Sequence, residues 1–301
     1  MDKLVFHYCS IETFFSIITN KTLRLSDVVK SNDNLEVMWM KKVLLDMMEH
    51  EEMSYERFSE PIKRKITIDL YKAKLKEKIE SFFEKKELKS KFFAICFSGA
   101  ESEDRLSQWR GYGDDGRGVA IAFDENFLSK TKKKLALKDA NYKIEFKKVE
   151  YKLEEQENIL RKFWKEEIDI ANKEINKIEI DFELWILQCF YELYGRAIFM
   201  KNPFFEEENE SRIVFERESV DVKIVNEELS NKILLRDEAV TIRNGNIIEY
   251  YDLDISKIKN EFIKKIILGP KCKAEKEDIQ MLLRRNGYVN VDVIWSNGSY
   301  R

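Results

Sequence analysis

FFAICFSG (residues 92–99) is a near-continuous apolar run of strand length, and GVAIAFD (118–124) is a second. Apolar residues on both faces mark strands buried in the middle of a sheet rather than at its rim. Between them stands SEDRLSQWRGYGDDGRG (102–118), polar and glycine-rich, with one helical turn expected at Leu106–Tyr112. Arg105, Trp109, Arg110 and Tyr112 exceed what solubility alone asks of such a loop.

Working outward, LVFHYCS (4–10) predicts a strand, and SIETFFSIITN (10–20) a helix capped by Ser10 with Phe14, Ile17 and Ile18 on one face. KTLRLSDVV (21–29) is a further strand. SNDNLEVMWMKKVLLDMMEH (31–50) spaces Val37, Met40, Leu44 and Met47 as an amphipathic helix does. Residues 51–90 continue as charged helix, with Leu75, Ile79 and Phe82 marking a buried stripe. NYKIEFKKVEY (141–151) alternates like a strand with one exposed face. From Lys152 to about Lys201 the pattern is helical, and FELWILQCFYELYGRAIFM (182–200) is apolar on most sides, as a buried helix is. ENESRIVFE (208–216) enters a strand through a polar run, and Asn244-Gly245 between alternating segments predicts a hairpin. IKKIILGPK (263–271), a helix ending at Gly287 and VNVDVIW (289–295) form a βαβ-like C-terminus. Roughly eight strands in no strict alternation with helices predict an α+β fold: a mixed, largely antiparallel sheet with flanking helices.

Only 3 Pro and 10 Gly occur in 301 residues, and no stretch is rich in Ser, Gly or Pro. Nothing reads as a linker, so the expectation is one domain over residues 1–301 with helical excursions at about 34–90 and 152–201. Lys+Arg (53) and Asp+Glu (56) leave a formal charge of -3, without the basic excess of a typical nucleic-acid binder. No apolar run has the length of a signal peptide or a membrane span, which points to a cytoplasmic protein off the membrane. Cys9, Cys96, Cys189 and Cys272 lie far apart beside only 2 His, so neither structural zinc nor a disulfide framework is expected.

Four groups of residues could carry chemistry. His7 and Tyr8 point to opposite faces of the first strand, so one of them can face a cleft; the bland alternative is a satisfied core histidine. Ser26, Asn32 and Asp33, with Glu36, form a polar knot after the second strand, where Asn and Asp also serve as helix caps. Arg105, Trp109 and Tyr112 with their glycines suit a nucleotide: aromatic rings stack, guanidinium groups bind phosphate and glycine lets a backbone approach. A tight turn between buried strands accounts for the same glycines. Glu210 and Arg212 share one strand face, a carboxylate with its ion-pair partner, fit for a general base or for stabilising developing positive charge.

In this order the chain resembles a bacterial family catalogued as domain of unknown function 2971. The matching residues are His7-Tyr8-x-Ser10, Leu23-x-Leu25-Ser26 with Asn32-Asp33 and Glu36, Cys96-Phe97-Ser98, Trp109-x-x-Tyr112 and Gly118-x-x-Ile121-x-Phe123. Glu208-x-Glu210-x-Arg212-Ile213-Val214, Ile266-x-Leu268-Gly269-Pro270-Lys271 and Ser296-x-x-x-Tyr300-Arg301 complete them. Where that pattern runs Asn-Asp-Pro, this chain has Asn32-Asp33-Asn34. The layout is also similar to the ADP-ribosyltransferase fold. That resemblance implies NAD, with His7 on a ribose, Tyr8 or Tyr112 on nicotinamide, and Glu210 stabilising an oxocarbenium-like transition state.

Three functions compete on these residues. One is an NAD-consuming transferase or hydrolase, a defence or toxin effector acting on a protein or nucleic-acid target. Another is a non-catalytic sensor or adaptor that binds a nucleotide-type small molecule or a partner. The third, a metal-dependent nuclease built on Asp33, Glu36, Glu208 and Glu210, is lowered by the absence of a basic surplus and ranks last, because no spacing characteristic of a nuclease is present; no metal is expected.

Overall fold

A computed structural model describes residues 3–28, 34–50, 53, 55–82, 92–126, 143–174, 181–217, 235–243 and 245–298. The chain forms two compact units. One comprises Met1–Lys30, Ser90–Lys148 and Glu207–Arg301; the other comprises Ser31–Lys89 and Val149–Glu206.

The first unit is a sheet. Its strands are β1 (Leu4–Cys9), β2 (Thr22–Asp27), β3 (Phe92–Ser98), β4 (Val119–Asp124), β5 (Lys143–Lys148), β6 (Glu210–Glu216), β7 (Ala239–Arg243), β8 (Asn246–Asp254), β9 (Ile263–Leu268) and β10 (Asp292–Trp295). They run in the order β10-β9-β4-β1-β3-β2-β8-β7, with β6 attached to β3 and β5 to β6. Every pairing is antiparallel except β9 with β10. The mixed, mostly antiparallel sheet expected of an α+β protein is therefore present.

The sheet branches at β3. One edge of β3 pairs with β6 along its whole length, from Phe92↔Glu216 to Ser98↔Glu210. The other edge is shared: β1 meets it at Phe6↔Ser98, and β2 meets it at Ser26↔Ala94 and Asp27↔Phe93. Between those points β1 and β3 part. Helix α1 (Ile11–Asn20) carries the chain from one side of the gap to the other. Ser10 caps it by accepting from the Thr13 amide at 3.2 Å, as the sequence predicts.

Alternation decides what each face buries. Val5 and Cys9 lie opposite Phe123 and Val119 and pack with Phe14, Ile17 and Ile18 of α1 in the main core. Phe6 and Tyr8 lie opposite Ala122 and Ala120 and form a smaller core on the other face with Trp109 of α5 (Leu106–Gly111). α9 (Lys276–Arg285), which follows the short α8 (Lys259–Phe262), buries Ile279 and Leu283 in the main core and returns the chain to β10 beside β9. This is the expected βαβ unit.

The second unit is helical: α2 (Asn34–Glu49), α3 (Glu60–Lys63), α4 (Ile68–Phe82), α6 (Leu153–Glu174) and α7 (Phe182–Ala197). The charged helix expected over 51–90 is broken. Pro61 fits only the first turn of a helix, where its missing N–H is no loss, and Thr67 Oγ1 opens a new helix by accepting from the Leu70 amide at 3.3 Å. Gln156, fully buried on α6, ties the unit together: it accepts from Trp39 Nε1 at 2.9 Å and donates to the Glu150 and Lys201 carbonyls at 2.7 Å. Among the described residues no helix is long and apolar enough to cross a membrane.

Candidate functional site

The side chains singled out from the sequence fall into three places. The first is the sheet face that carries Phe6 and Tyr8. Register brings Phe6, Ser98 and Glu210 abreast on neighbouring strands, so their side chains share this face, and Arg212 follows two residues on. Arg212 grips Glu210 bidentately, Nε to Oε1 at 2.8 Å and one terminal nitrogen to Oε2 at 2.9 Å, with side chains only 3% and 7% exposed. Planar fork meets planar carboxylate, which fixes the orientation of both groups. Beside them Ser98 donates to Gln108 Oε1 at 2.7 Å, and both residues are buried. Buried polar side chains of this density are uncommon in a core, because each must be desolvated and then satisfied.

Tyr8 and Trp109 occupy the same face as supports. Their rings meet edge to face at 4.8 Å; Tyr8 donates to the Ser102 carbonyl at 2.7 Å and Trp109 Nε1 to Asp104 Oδ1 at 2.8 Å. Burial pushes the acidity of the Tyr8 phenol far out of the neutral range, so it donates a hydrogen bond and no proton. Trp109 is 1% exposed, which leaves no ring face for a ligand to stack on. Ser26 shares this face but sits opposite Ala94, four residues along β3 from Ser98, about 13 Å away at strand rise.

The second place is the gap in the sheet. His7 lies opposite Ile121 and edge-on to Phe97 at 6.1 Å, on the face away from Tyr8, Glu210 and Arg212. Its Nδ1 sits 2.9 Å from the Cys96 carbonyl oxygen, where β1 and β3 diverge. A carbonyl can only accept, so Nδ1 carries the hydrogen and Nε2 presents its lone pair. Burial holds the imidazole below its usual pKa, partly offset by that carbonyl, and the ring is neutral.

The third place is the exposed rim of α5. Arg105 and Arg110 are exposed, and Tyr112, half exposed, donates to Glu208 Oε1 at 3.1 Å. Asn32 and Asp33 lie outside the described residues, as do the Asn244 turn position and the side chain of Glu36.

The glycines around α5 serve packing. A Cβ on Gly118 would overlap the Cys9 carbonyl oxygen, one on Gly269 the Gly116 carbonyl oxygen, and one on Gly113 the Trp109 ring. Lys271 closes the same corner by reaching Asp115 at 3.2 Å. Two residues escaped the sequence reading. Asp104, at a positive φ of 56°, accepts from Trp109, from Ser296 Oγ and from the Asn297 amide at 2.7 Å, pinning the C-terminal segment to α5. Gln108, one polar residue of the expected helical turn, is 1% exposed. Among the described residues no three His, Cys, Asp or Glu side chains come together as a metal site.

Fold and face together define the class: an α+β protein with a branched, mostly antiparallel sheet and a buried carboxylate–guanidinium fork one strand from the branch. The model of the family described as "Protein of unknown function (DUF2971)" matches residues 108–213, which supports the DUF2971 family for this chain. That segment runs from Gln108 to Ile213 and so takes in Trp109, Tyr112, Glu210 and Arg212, whereas His7 and Tyr8 lie before it. No curated protein and no solved structure matches the chain.

Proposed function

We propose that this chain is a nucleotide-modifying enzyme of the ADP-ribosyltransferase type with NAD as its substrate. The observation that carries the reading is His7, whose ring is oriented by the Cys96 carbonyl and kept neutral at the gap between β1 and β3. A fixed, neutral imidazole with its Nε2 lone pair free of protons is the acceptor a ribose hydroxyl needs. Glu210 begins β6 at the level where β1 leaves β3, two strands away and so about 10 Å across the sheet, within the span of one dinucleotide. Arg105 and Arg110 supply exposed cations for a pyrophosphate, and Tyr112 a half-exposed ring for nicotinamide.

In that site the bond between ribose C1′ and the nicotinamide nitrogen breaks, and its electron pair leaves with nicotinamide. The positive charge left on the sugar is stabilised by the Glu210 carboxylate, oriented by Arg212. The acceptor, a group on a protein or nucleic acid or a water molecule, attacks C1′ and gives up its proton. Because His7 and Glu210 belong to opposite faces, the reading requires the ribose to lie at the gap itself. The test is incubation of the full chain with NAD and measurement of free nicotinamide. Release is expected, with a fall of about 100-fold or more in Glu210→Gln, the usual effect of removing one charge-stabilising group. Absence of both nicotinamide release and stabilisation by NAD overturns the proposal; release unchanged in Glu210→Gln removes the carboxylate from it.

One observation favours a second reading, the sensor or adaptor. Tyr8, Ser98, Gln108, Glu210 and Arg212 are all buried and bonded to one another or to backbone, and buried Trp109 is bonded to the Asp104 carboxylate, as in a rigid scaffold. Stabilisation by NAD without turnover is the result that selects it.

A further inference from the structure

The helical unit contains a cavity of about 120 Å³ between α3, α4, α6 and α7. Phe58, Ile62, Ile66, Ala171, Phe182 and Trp185 line it, almost wholly with carbon. Its aromatic walls are held by one another: Phe58 stands edge to face against Trp185 at 5.7 Å and against Tyr71 at 5.4 Å, and Phe182 lies against Trp185 at 5.3 Å. Tyr71 is itself fixed by Trp164 Nε1 at 3.0 Å and by the Met53 carbonyl at 3.0 Å. The walls are therefore rigid, and a rigid apolar hole does not collapse to fill itself.

Two lysines also line the cavity. Lys74 is paired with Glu183, whereas Lys65 is exposed and has no ion-pair partner among the described residues.

We infer that this cavity is a binding site for a small planar aromatic acid of the size of benzoate. The volume is close to that of apolar cavities of about 150 Å³ that take up benzene, so one six-membered ring fills it. Aromatic walls favour a flat, polarisable guest over a branched aliphatic one. The carboxylate gains the Lys65 ammonium, a charge with no ion-pair partner among the described residues, while the ring stays in the apolar part. This site lies within the helical unit and is independent of the strand residues assigned to NAD.

The probe is benzoate, titrated into the full chain while tryptophan fluorescence is followed, with neutral benzyl alcohol as the comparison. Saturable binding with a dissociation constant of about 1 mM or tighter is expected for benzoate, the affinity its nine heavy atoms allow. Lys65→Gln, on an exposed residue, should weaken benzoate about tenfold and leave benzyl alcohol unchanged. Ala171→Leu, which places three further carbons in the hole, should abolish binding of both while the circular dichroism spectrum stays that of the wild type. No saturable signal with either probe overturns the inference, and so does benzoate binding that survives Ala171→Leu in a folded protein. Equal affinities for the two probes, insensitive to Lys65→Gln, overturn the acid and leave only an apolar guest.

Discussion

Replacing Arg212 by Met would leave the Glu210 carboxylate in a site where the two side chains are only 7% and 3% exposed, without the guanidinium that holds it at 2.8 and 2.9 Å. Solvent does not screen a pair at this depth, so the discount that applies to surface ion pairs is absent. Removing one partner of a buried pair typically costs about 3–5 kcal/mol, most of it the penalty for the abandoned charge rather than the worth of the bond. Glu210→Leu should fall in the same range, because it abandons the guanidinium instead. The double variant Glu210→Leu/Arg212→Met removes both charges and restores apolar packing, and it should lie within about 2 kcal/mol of the wild type. The assay is urea unfolding of the four proteins by far-ultraviolet circular dichroism, read as a double-mutant cycle. Strong coupling, with the double variant more stable than either single one, is the expected outcome. Single substitutions that cost less than about 1 kcal/mol, or costs that simply add, would refute a tightly buried fork.

Other consequences are as open to test. His7 is held neutral by burial, below the ordinary value of 6.5, so the unfolded chain takes up a proton first as pH falls. Stability contributed by the neutral ring is fully present above about pH 6.5 and declines below it, and His7→Gln should flatten the fall in urea midpoint between pH 7 and 5. Gly118→Ala would drive a methyl group into the Cys9 carbonyl oxygen, whereas nothing stands within 4 Å of a Cβ at Gly111. The first should unfold or strongly destabilise the protein, and Gly111→Ala should leave its melting temperature unchanged or raised, helix propensity favouring alanine by about 1 kcal/mol. Asp104→Gly keeps the positive φ of 56° while deleting the carboxylate that joins Trp109 to Ser296 and Asn297. It should cost about 1–3 kcal/mol and make the segment after Trp295 a site of early proteolysis, visible by mass spectrometry; a cleavage pattern identical to the wild type would count against that anchor.

Much of the sheet was legible because strand signals are local. The continuous apolar runs at Phe92 and Val119 became central strands, alternation in the 143–148 segment became β5, and the Gly245 turn joins β7 to β8. The branch was not legible, because it depends on β6 finding β3 across more than a hundred intervening residues, which no local pattern records. The same limit governs the site. That Glu210 and Arg212 share a face, and that His7 and Tyr8 do not, follows from the period of two. Which of His7 and Tyr8 joins Glu210 follows only from the register Phe6↔Ser98↔Glu210, and it selects Tyr8. Trp109 advertised a stacking platform by its neighbours in sequence, yet the hydrophobicity of an indole is served equally by the small core under α5. Asp104 and Gln108 gave no signal, since in a polar loop one more Asp or Gln is ordinary until burial singles it out.

The branch at β3 also has a history during synthesis. As the ribosome makes the chain, β3 emerges with β1 and β2 already available to one edge, but its partner along the other edge begins only at Glu210. At typical translation rates that interval is on the order of 10 s. For that time FFAICFS is an apolar strand with a bare row of amides and carbonyls, the form most prone to pair with another copy of itself. The helical residues made in between are thus also a delay, and the yield of folded protein in a cell should respond to translation speed and to chaperones that shield nascent strands.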